Sequence, residues 1–291
     1  MNESDSFLRY LAAKKTVDDR ALNQHVWSHL IEALRRFPRD RSIRILELGA
    51  GIGTMVERIV SQPGLPDMVY SAIDLNGAAI EVARERLTDL PPGVTLDLQA
   101  IDLFDFIAAD ANQTGSWDLV IAHAFLDLLD IEEAVPGIFS LLQPNGYFYF
   151  TLNFDGGTVL EPGIEPVFDA RVESLYHQTM DERVTNGKPS GDSQTGRHLF
   201  QCLAGSGAEI LSSGSSDWVV FPGENGYRDD DAWFLKFIIN TIHGALECRS
   251  ELDQEQFRQW ISKRHGQIER GELVYIARQL DFFGRRSVGE G

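Results

Sequence analysis

The stretch Ile45-Leu46-Glu47-Leu48-Gly49-Ala50-Gly51-Ile52-Gly53-Thr54 constrains this chain more than any other. A short apolar run ends in three alternate glycines. A helical pattern follows at once, with Met55, Val56, Ile59 and Val60 as its apolar residues. Glycine lets the backbone turn sharply and lets a ligand approach it closely. The start of the helix offers N–H groups that lack an intrahelical partner. Taken alone, this is a generic nucleotide-binding turn, and a glycine triplet is a weak signal. The dinucleotide fingerprint G-x-G-x-x-G requires glycine where Thr54 stands, and no second mononucleotide half follows, which argues against a nicotinamide cofactor.

The surroundings of the turn are those of an α/β sheet. Strands are predicted at Ile43–Leu48, Met68–Asp74, Val94–Asp102, Trp117–Ala122 and Tyr147–Leu152, the last after a Gln143-Pro144-Asn145-Gly146 turn. Helices are predicted at Gly77–Leu90 and at Ile131–Leu142, where Pro136 kinks or shortens the second. Alternation of this kind predicts a parallel sheet with right-handed crossovers. Ahead of it, Phe7 to Arg36 is helical in pattern, with Asp18-Asp19 available to cap a second helix. Asn153–Gly196 shows little periodicity. Beyond it come a helix at Arg197–Gly205, a strand near Ile210–Phe221, helices at Asp230–Glu247 and Asp253–Arg270, and a closing strand at Leu273–Gln279. The expected layout is a helical N-terminal cap (1–40) and one α/β domain (41–291) with insertions at about 153–196 and 222–271.

Composition limits the partners. The 291 residues are 43% hydrophobic, enough for a large core, and 26 Lys+Arg against 44 Asp+Glu leave a net charge of −18. Basic residues cluster no further than pairs, so nucleic acid and anionic membranes are poor partners. Two distant cysteines, Cys202 and Cys248, exclude a disulfide scaffold and a Cys-rich zinc site. The polar, acidic N-terminus is not a signal peptide and no apolar run reaches the ~20 residues of a membrane helix, so a cytoplasmic protein is expected.

Three acids sharpen the glycine turn. Glu47 lies within an apolar strand, where a carboxylate is costly without partners. Asp74 and Asp102 close the second and third strands, at the ligand-binding edge of an open parallel sheet. Here the chain resembles the class I S-adenosylmethionine-dependent methyltransferases. The resembling residues are Glu47-Leu48-Gly49-Ala50-Gly51-Ile52-Gly53, Ile73-Asp74, Ile101-Asp102, Trp117-Asp118-Leu119-Val120 and the turn before the fifth strand. The resemblance implies a doubly wound, Rossmann-like, mostly parallel seven-stranded sheet in the order 3-2-1-4-5-7-6, with the last strand antiparallel. It implies S-adenosylmethionine as cofactor and a cofactor site at Glu47, Gly49, Ala50, Gly51, Asp74, Leu75, Asp102, Leu103 and His123; no clear cluster of metal ligands stands in the sequence, so no metal is expected. In the family the glycine loop meets the methionine part, the acid after the second strand (here Asp74) the ribose, and the acid after the third (here Asp102) the adenine amine. Local alternatives stay open: Asp74 as a helix cap, Asp102 as a loop acid, Glu47 as the partner of a core arginine.

Methyl transfer to a small molecule is the expected activity. The alternatives are a non-catalytic cofactor-binding or regulatory protein of the same fold, or a protein or RNA methyltransferase. The sulfonium is already activated, so alignment is the main task and a base is needed only where the acceptor must lose a proton. Candidates for that role are His123, Asp127 and His177; a structural histidine, and a cap on the following helix for Asp127 and Asp130, are the bland readings. The apolar helix carrying Phe234, Phe237, Ile238, Thr241 and Ile242 reads as a pocket wall, a homodimer face or an ordinary core stripe.

Overall fold

A computed structural model describes residues 3–109, 115–185 and 187–287. The chain forms two compact units. One holds the residues up to Ala21, Asn153–Gln194 and Asp217–Gln279; the other holds Leu22–Leu152, Thr195–Ser216 and the residues from Leu280 onward. The expected 1–40 cap is divided between them: helix α1 (Glu3–Ala21) belongs to the first unit and α2 (Gln24–Arg35) to the second.

The second unit is the sheet unit. Strands β1 (Ile43–Leu48), β2 (Met68–Asp74), β3 (Val94–Ala100), β4 (Trp117–His123) and β5 (Leu142–Leu152) lie in the order β3-β2-β1-β4-β5, all parallel. Residues from Leu280 of strand β10 (Val274–Arg286) run antiparallel to β5. Side chains alternate across the sheet, as a period of two demands. Ile43, Ile45, Tyr70, Leu119, Ile121 and Tyr149 pack with α2, α3 (Thr54–Val60) and α4 (Gly77–Arg86). Leu46, Leu48, Val120, Ala122, Phe148 and Phe150 pack on the other face with α5 (Leu103–Ala109), α6 (Ile131–Leu141) and α8 (Thr195–Gly205). Strand β9 (Ala208–Val220) also pairs with β10, so the family's strand order is present, and the last strand is antiparallel as expected.

Three expectations are corrected. Among the described residues the sheet has eight strands, because four residues of the first insertion form β6 (Thr158–Glu161), antiparallel to Val274–Ala277 of β10. The Gln143–Gly146 turn lies inside β5: Trp117 pairs with Leu142 and Leu119 with Tyr147, so four residues bulge, with Asn145 at φ 62°. Asp18 and Asp19 do not cap α2. Asn23 does, its side chain accepting from Val26 N–H, while the two aspartates pair with Lys14 and Lys15 one turn back along α1.

The first unit is mainly helical. Its core joins Ala13 and Val17 of α1, Phe168, Val172 and Leu175 of α7 (Pro166–Asp181), and the stripes of α9 (Asp231–Leu246) and α10 (Gln254–Glu269). Phe234, Ile238 and Ile242 are all buried there, so the apolar helix is a core stripe, and Phe237 stacks on Tyr10 at 4.1 Å. Arg9 and Arg20 of α1 grip Asp230 and the buried Asp231 at the start of α9, each arginine reaching both carboxylate oxygens.

Candidate functional site

The glycine turn sits where three strands end side by side. Leu48, the last residue of β1, pairs with Ile73 on one side and Ala122 on the other. Gly49, Gly51 and Gly53 take φ values of 66°, 54° and 78°, all left-handed, where any side chain is strained. Gly49 is further constrained by a neighbour. A Cβ there would lie 2.4 Å from the ring of Phe125. Ala50 is buried, its N–H donating to the Ile73 carbonyl at 3.0 Å, which ties the turn to the end of β2.

Asp74 closes the turn from β2. Gly51 N–H donates to its Oδ2 and Asn76 N–H to its Oδ1, both at 2.8 Å. It is not the cap of α4; Asn76 fills that position. A carboxylate has about four acceptor sites, so two backbone bonds leave capacity for a pair of ribose hydroxyls. Leu75 beside it is 74% exposed, a large apolar side chain offered at the rim. Asp102 stands one strand away, just after β3. Its Oδ1 takes the N–H of Phe104 at 2.8 Å and starts α5, and among the described residues Oδ2 has no donor. Leu103 points elsewhere: it is buried in the core with Leu48 and Ile73.

Glu47 is buried beneath the turn. Tyr70 O–H donates to its Oε2 at 2.7 Å. Glu47 pairs with Ala72, so Tyr70, two residues back on β2, is its diagonal neighbour on the same face. Burial raises the carboxyl to about 8; the Tyr70 hydrogen bond and the charge of Arg58 oppose that rise, and Asp74 adds to it.

His123 ends β4 and is buried, its Nδ1 2.5 Å from the Thr151 hydroxyl on the paired strand β5. The next residue, Ala124, has φ 52°, which turns the chain and brings Phe125 onto Gly49. Asp127 lies in the 3-10 turn Leu126–Leu128, and Asp130 caps α6. Thus Glu47, Gly49, Ala50, Gly51, Asp74 and His123 gather at adjoining strand ends, with Asp102 alongside. His177 belongs to the other unit, on α7, with Nε2 3.0 Å from the Thr158 hydroxyl; burial lowers its pKa and Asp181 partly offsets this.

Sequence reasoning missed Tyr70, Thr151 and Phe125. A tyrosine within a buried strand needs a partner for its hydroxyl, and Glu47 was the visible candidate. Nothing in the chain signals Phe125, because its role depends on the left-handed Ala124. A cleft of about 490 Å³ in the same unit lies elsewhere, lined by Arg36, Asp118, Gln143 and Tyr147 near the start of β4. Asp118 is satisfied there by both Arg41 nitrogens, Arg44 N–H and Gln143, which makes it a structural anchor.

Comparisons with known proteins bear on this geometry. Residues 46–148 match the methyltransferase domain family. A ubiquinone/menaquinone biosynthesis C-methyltransferase, UbiE, of Methylobacterium nodulans is 33% identical over 148 residues, which cover 49% of this chain and 53% of the relative. The polyketide synthase component of the compactin nonaketide synthase of Penicillium citrinum is 30% identical over 148 residues, 50% of this chain and 5% of that one. The chain therefore spans about half of the first relative and a small part of the second. Two solved structures share the fold at 12% identity. A SAM-dependent methyltransferase from Methanosarcina mazei has a TM-score of 0.50, covering 89% of this chain and 97% of its own. A Bacillus halodurans protein assigned as a methyltransferase has a TM-score of 0.52, covering 90% and 98%. The sheet order and the left-handed glycine turn agree with the match of residues 46–148 to the methyltransferase domain family.

Proposed function

We propose that this protein methylates a small molecule, using S-adenosylmethionine. The observation that supports this best is the coupling of the turn to Asp74, in which Gly51 N–H is held by the carboxylate proposed to take the ribose. The residues present suit the cofactor. Gly49, Ala50 and Gly51 leave backbone exposed for its methionine part, Asp74 has acceptor capacity for two hydroxyls, Leu75 offers an apolar wall, and Asp102 Oδ2 suits an amine. Leu103 takes part only through its backbone, since its side chain is in the core. Two acids at the strand ends, Asp74 and Asp102, favour a ligand with positive charge.

The cofactor supplies an activated methyl group, so the chain's own residues mainly hold reactants in line and exclude water. His123, held by Thr151, is the proposed wall or proton acceptor at the end of β4. Asp127 follows it and is proposed to act with it; His177 is the proposed contribution of the inserted helix. A small acceptor fits the net charge of −18, which opposes RNA, and both named relatives belong to small-molecule biosynthesis. Among the described residues no helix is long and apolar enough to cross a membrane. The two free cysteines suit a reducing compartment, and the cytoplasm is the proposed location. Transfer of label from methyl-labelled cofactor to small acceptors tests the reading. Loss of transfer in Asp74→Ala supports it, and binding without turnover across a broad acceptor panel contradicts it.

A further inference from the structure

The helical unit holds a cavity of about 330 Å³ lined from β6, the loop after it, α7, α9 and α10. Val172, Tyr176, Ile242 and Trp260 supply apolar and aromatic walls, and Glu161, Asp169, Glu173 and Arg264 supply charge. Arg264 is wholly buried and held in place. Its Nη1 donates to the Pro162 carbonyl at 2.8 Å and to Gln267 Oε1 at 2.9 Å, and its Nη2 to Asp169 Oδ1 at 2.7 Å. Among the described residues its Nε has no hydrogen-bond partner. Native interiors rarely leave such a donor unmatched. Asp169 is fully engaged, since Trp260 Nε1 and the N–H groups of Ile164 and Glu165 also donate to it.

Among the described residues, then, three carboxylates and one guanidinium line the cavity, and the guanidinium is bonded to Asp169. Glu161 accepts the Gly163 N–H at 2.7 Å and acts on Arg264 only through its charge. Glu173 is partly buried and has no cation beside it among the described residues; burial pushes its carboxyl up, opposed by a hydrogen bond from the Thr158 backbone. A carboxylate withdrawn from water without a counter-charge is costly, and a cation entering the cavity removes that cost. The Trp260 ring already carries Arg264 at 4.9 Å, and the Tyr176 ring offers a second aromatic wall, which suits an organic cation. We propose that this cavity binds a small organic ammonium ion, with Glu173 as its counter-charge and the Tyr176 ring as its wall. Arg264 Nε calls for an acceptor, and three carboxylates require that acceptor to be uncharged, so a hydroxylated ammonium ion matches the lining best. The proposal does not depend on methyl transfer.

Calorimetric titration of the full-length protein with choline and with neohexanol tests this. The two probes share shape and hydroxyl, but carbon replaces nitrogen in the second, so only the first is charged. Choline is expected to bind saturably and one-to-one, and neohexanol at least about tenfold more weakly. Glu173→Gln keeps the shape of the side chain and removes its charge; it weakens choline binding about tenfold. Glu255→Gln, at an exposed position of α10 outside the lining, leaves choline binding unchanged, which separates the site from general attraction by the net charge of −18. Absence of saturable choline binding, equal binding of neohexanol, unchanged affinity in Glu173→Gln, or an equal loss in Glu255→Gln overturns the assignment.

Discussion

Replacing Glu47 by glutamine should change how stability depends on pH, and the structure sets both sign and size. In the folded protein the carboxyl titrates at about 8, against an ordinary value of 4.5, chiefly because it is buried. Below pH 4.5 both states hold the proton and the residue makes no difference. Between 4.5 and 8 the native state keeps a proton that the unfolded chain releases. Stability then falls by at most about 1.4 kcal/mol for each pH unit. Over the interval of about 3.5 pH units the loss comes to roughly 5 kcal/mol, an upper figure for a partnered group. Glutamine has nearly the same shape, accepts the Tyr70 hydroxyl and cannot ionise. Urea unfolding of both proteins from pH 4 to 9 measures the effect. The wild type should match the variant to within about 1 kcal/mol in acid, fall below it progressively as pH rises toward 8, and then run parallel. A difference that stays constant from pH 5 to 8, or changes in the opposite sense, refutes the buried, protonated carboxyl.

Gly49→Ala must adopt a left-handed φ and push a methyl group against the Phe125 ring; a loss of roughly 2–4 kcal/mol in urea unfolding and loss of cofactor binding are expected. Pairing this change with Phe125→Ala should recover part of that loss, which a double-mutant cycle reads directly. Arg20→Leu leaves the buried Asp231 without its guanidinium and should cost roughly 2–4 kcal/mol at neutral pH. His177 is held neutral by burial, so the unfolded chain protonates first as pH falls below about 6.5; His177→Gln should lessen the stability lost in mild acid. Methyl incorporation into RNA should be negligible at physiological salt, by scintillation counting of labelled product.

Much of the sheet unit could be read from the chain because its signals are local. Strands β1, β2 and β4 are largely apolar runs, and the glycine triplet marks the turn whatever surrounds it. The failures share a cause: pairing with distant residues overrode local preference. Pro144-Asn145-Gly146 are turn formers, yet Leu142 pairs with Trp117, and the strand absorbs them as a bulge. Thr158–Glu161 is too short to show a period and becomes a strand only because β10 offers it an edge. Asp18 is a good capping residue, but its carboxylate is taken by Lys14 and Asn153. At the site, the types of residue were legible and their partners were not. Asp74 announced an acceptor, but its hold on Gly51 N–H depends on the register of β1 and β2. Phe125 over Gly49 follows from one left-handed alanine, which no pattern foretells.

The central claim is that the turn at Gly49–Gly53 and Asp74 bind the nucleoside cofactor. Calorimetric titration with S-adenosylhomocysteine tests it with no acceptor needed. The wild type should bind one equivalent, and Asp74→Ala, folded by circular dichroism, should bind at least about 100-fold more weakly, as expected for two lost charge-assisted hydrogen bonds. Absence of binding by the wild type, or unchanged affinity in Asp74→Ala, contradicts the account.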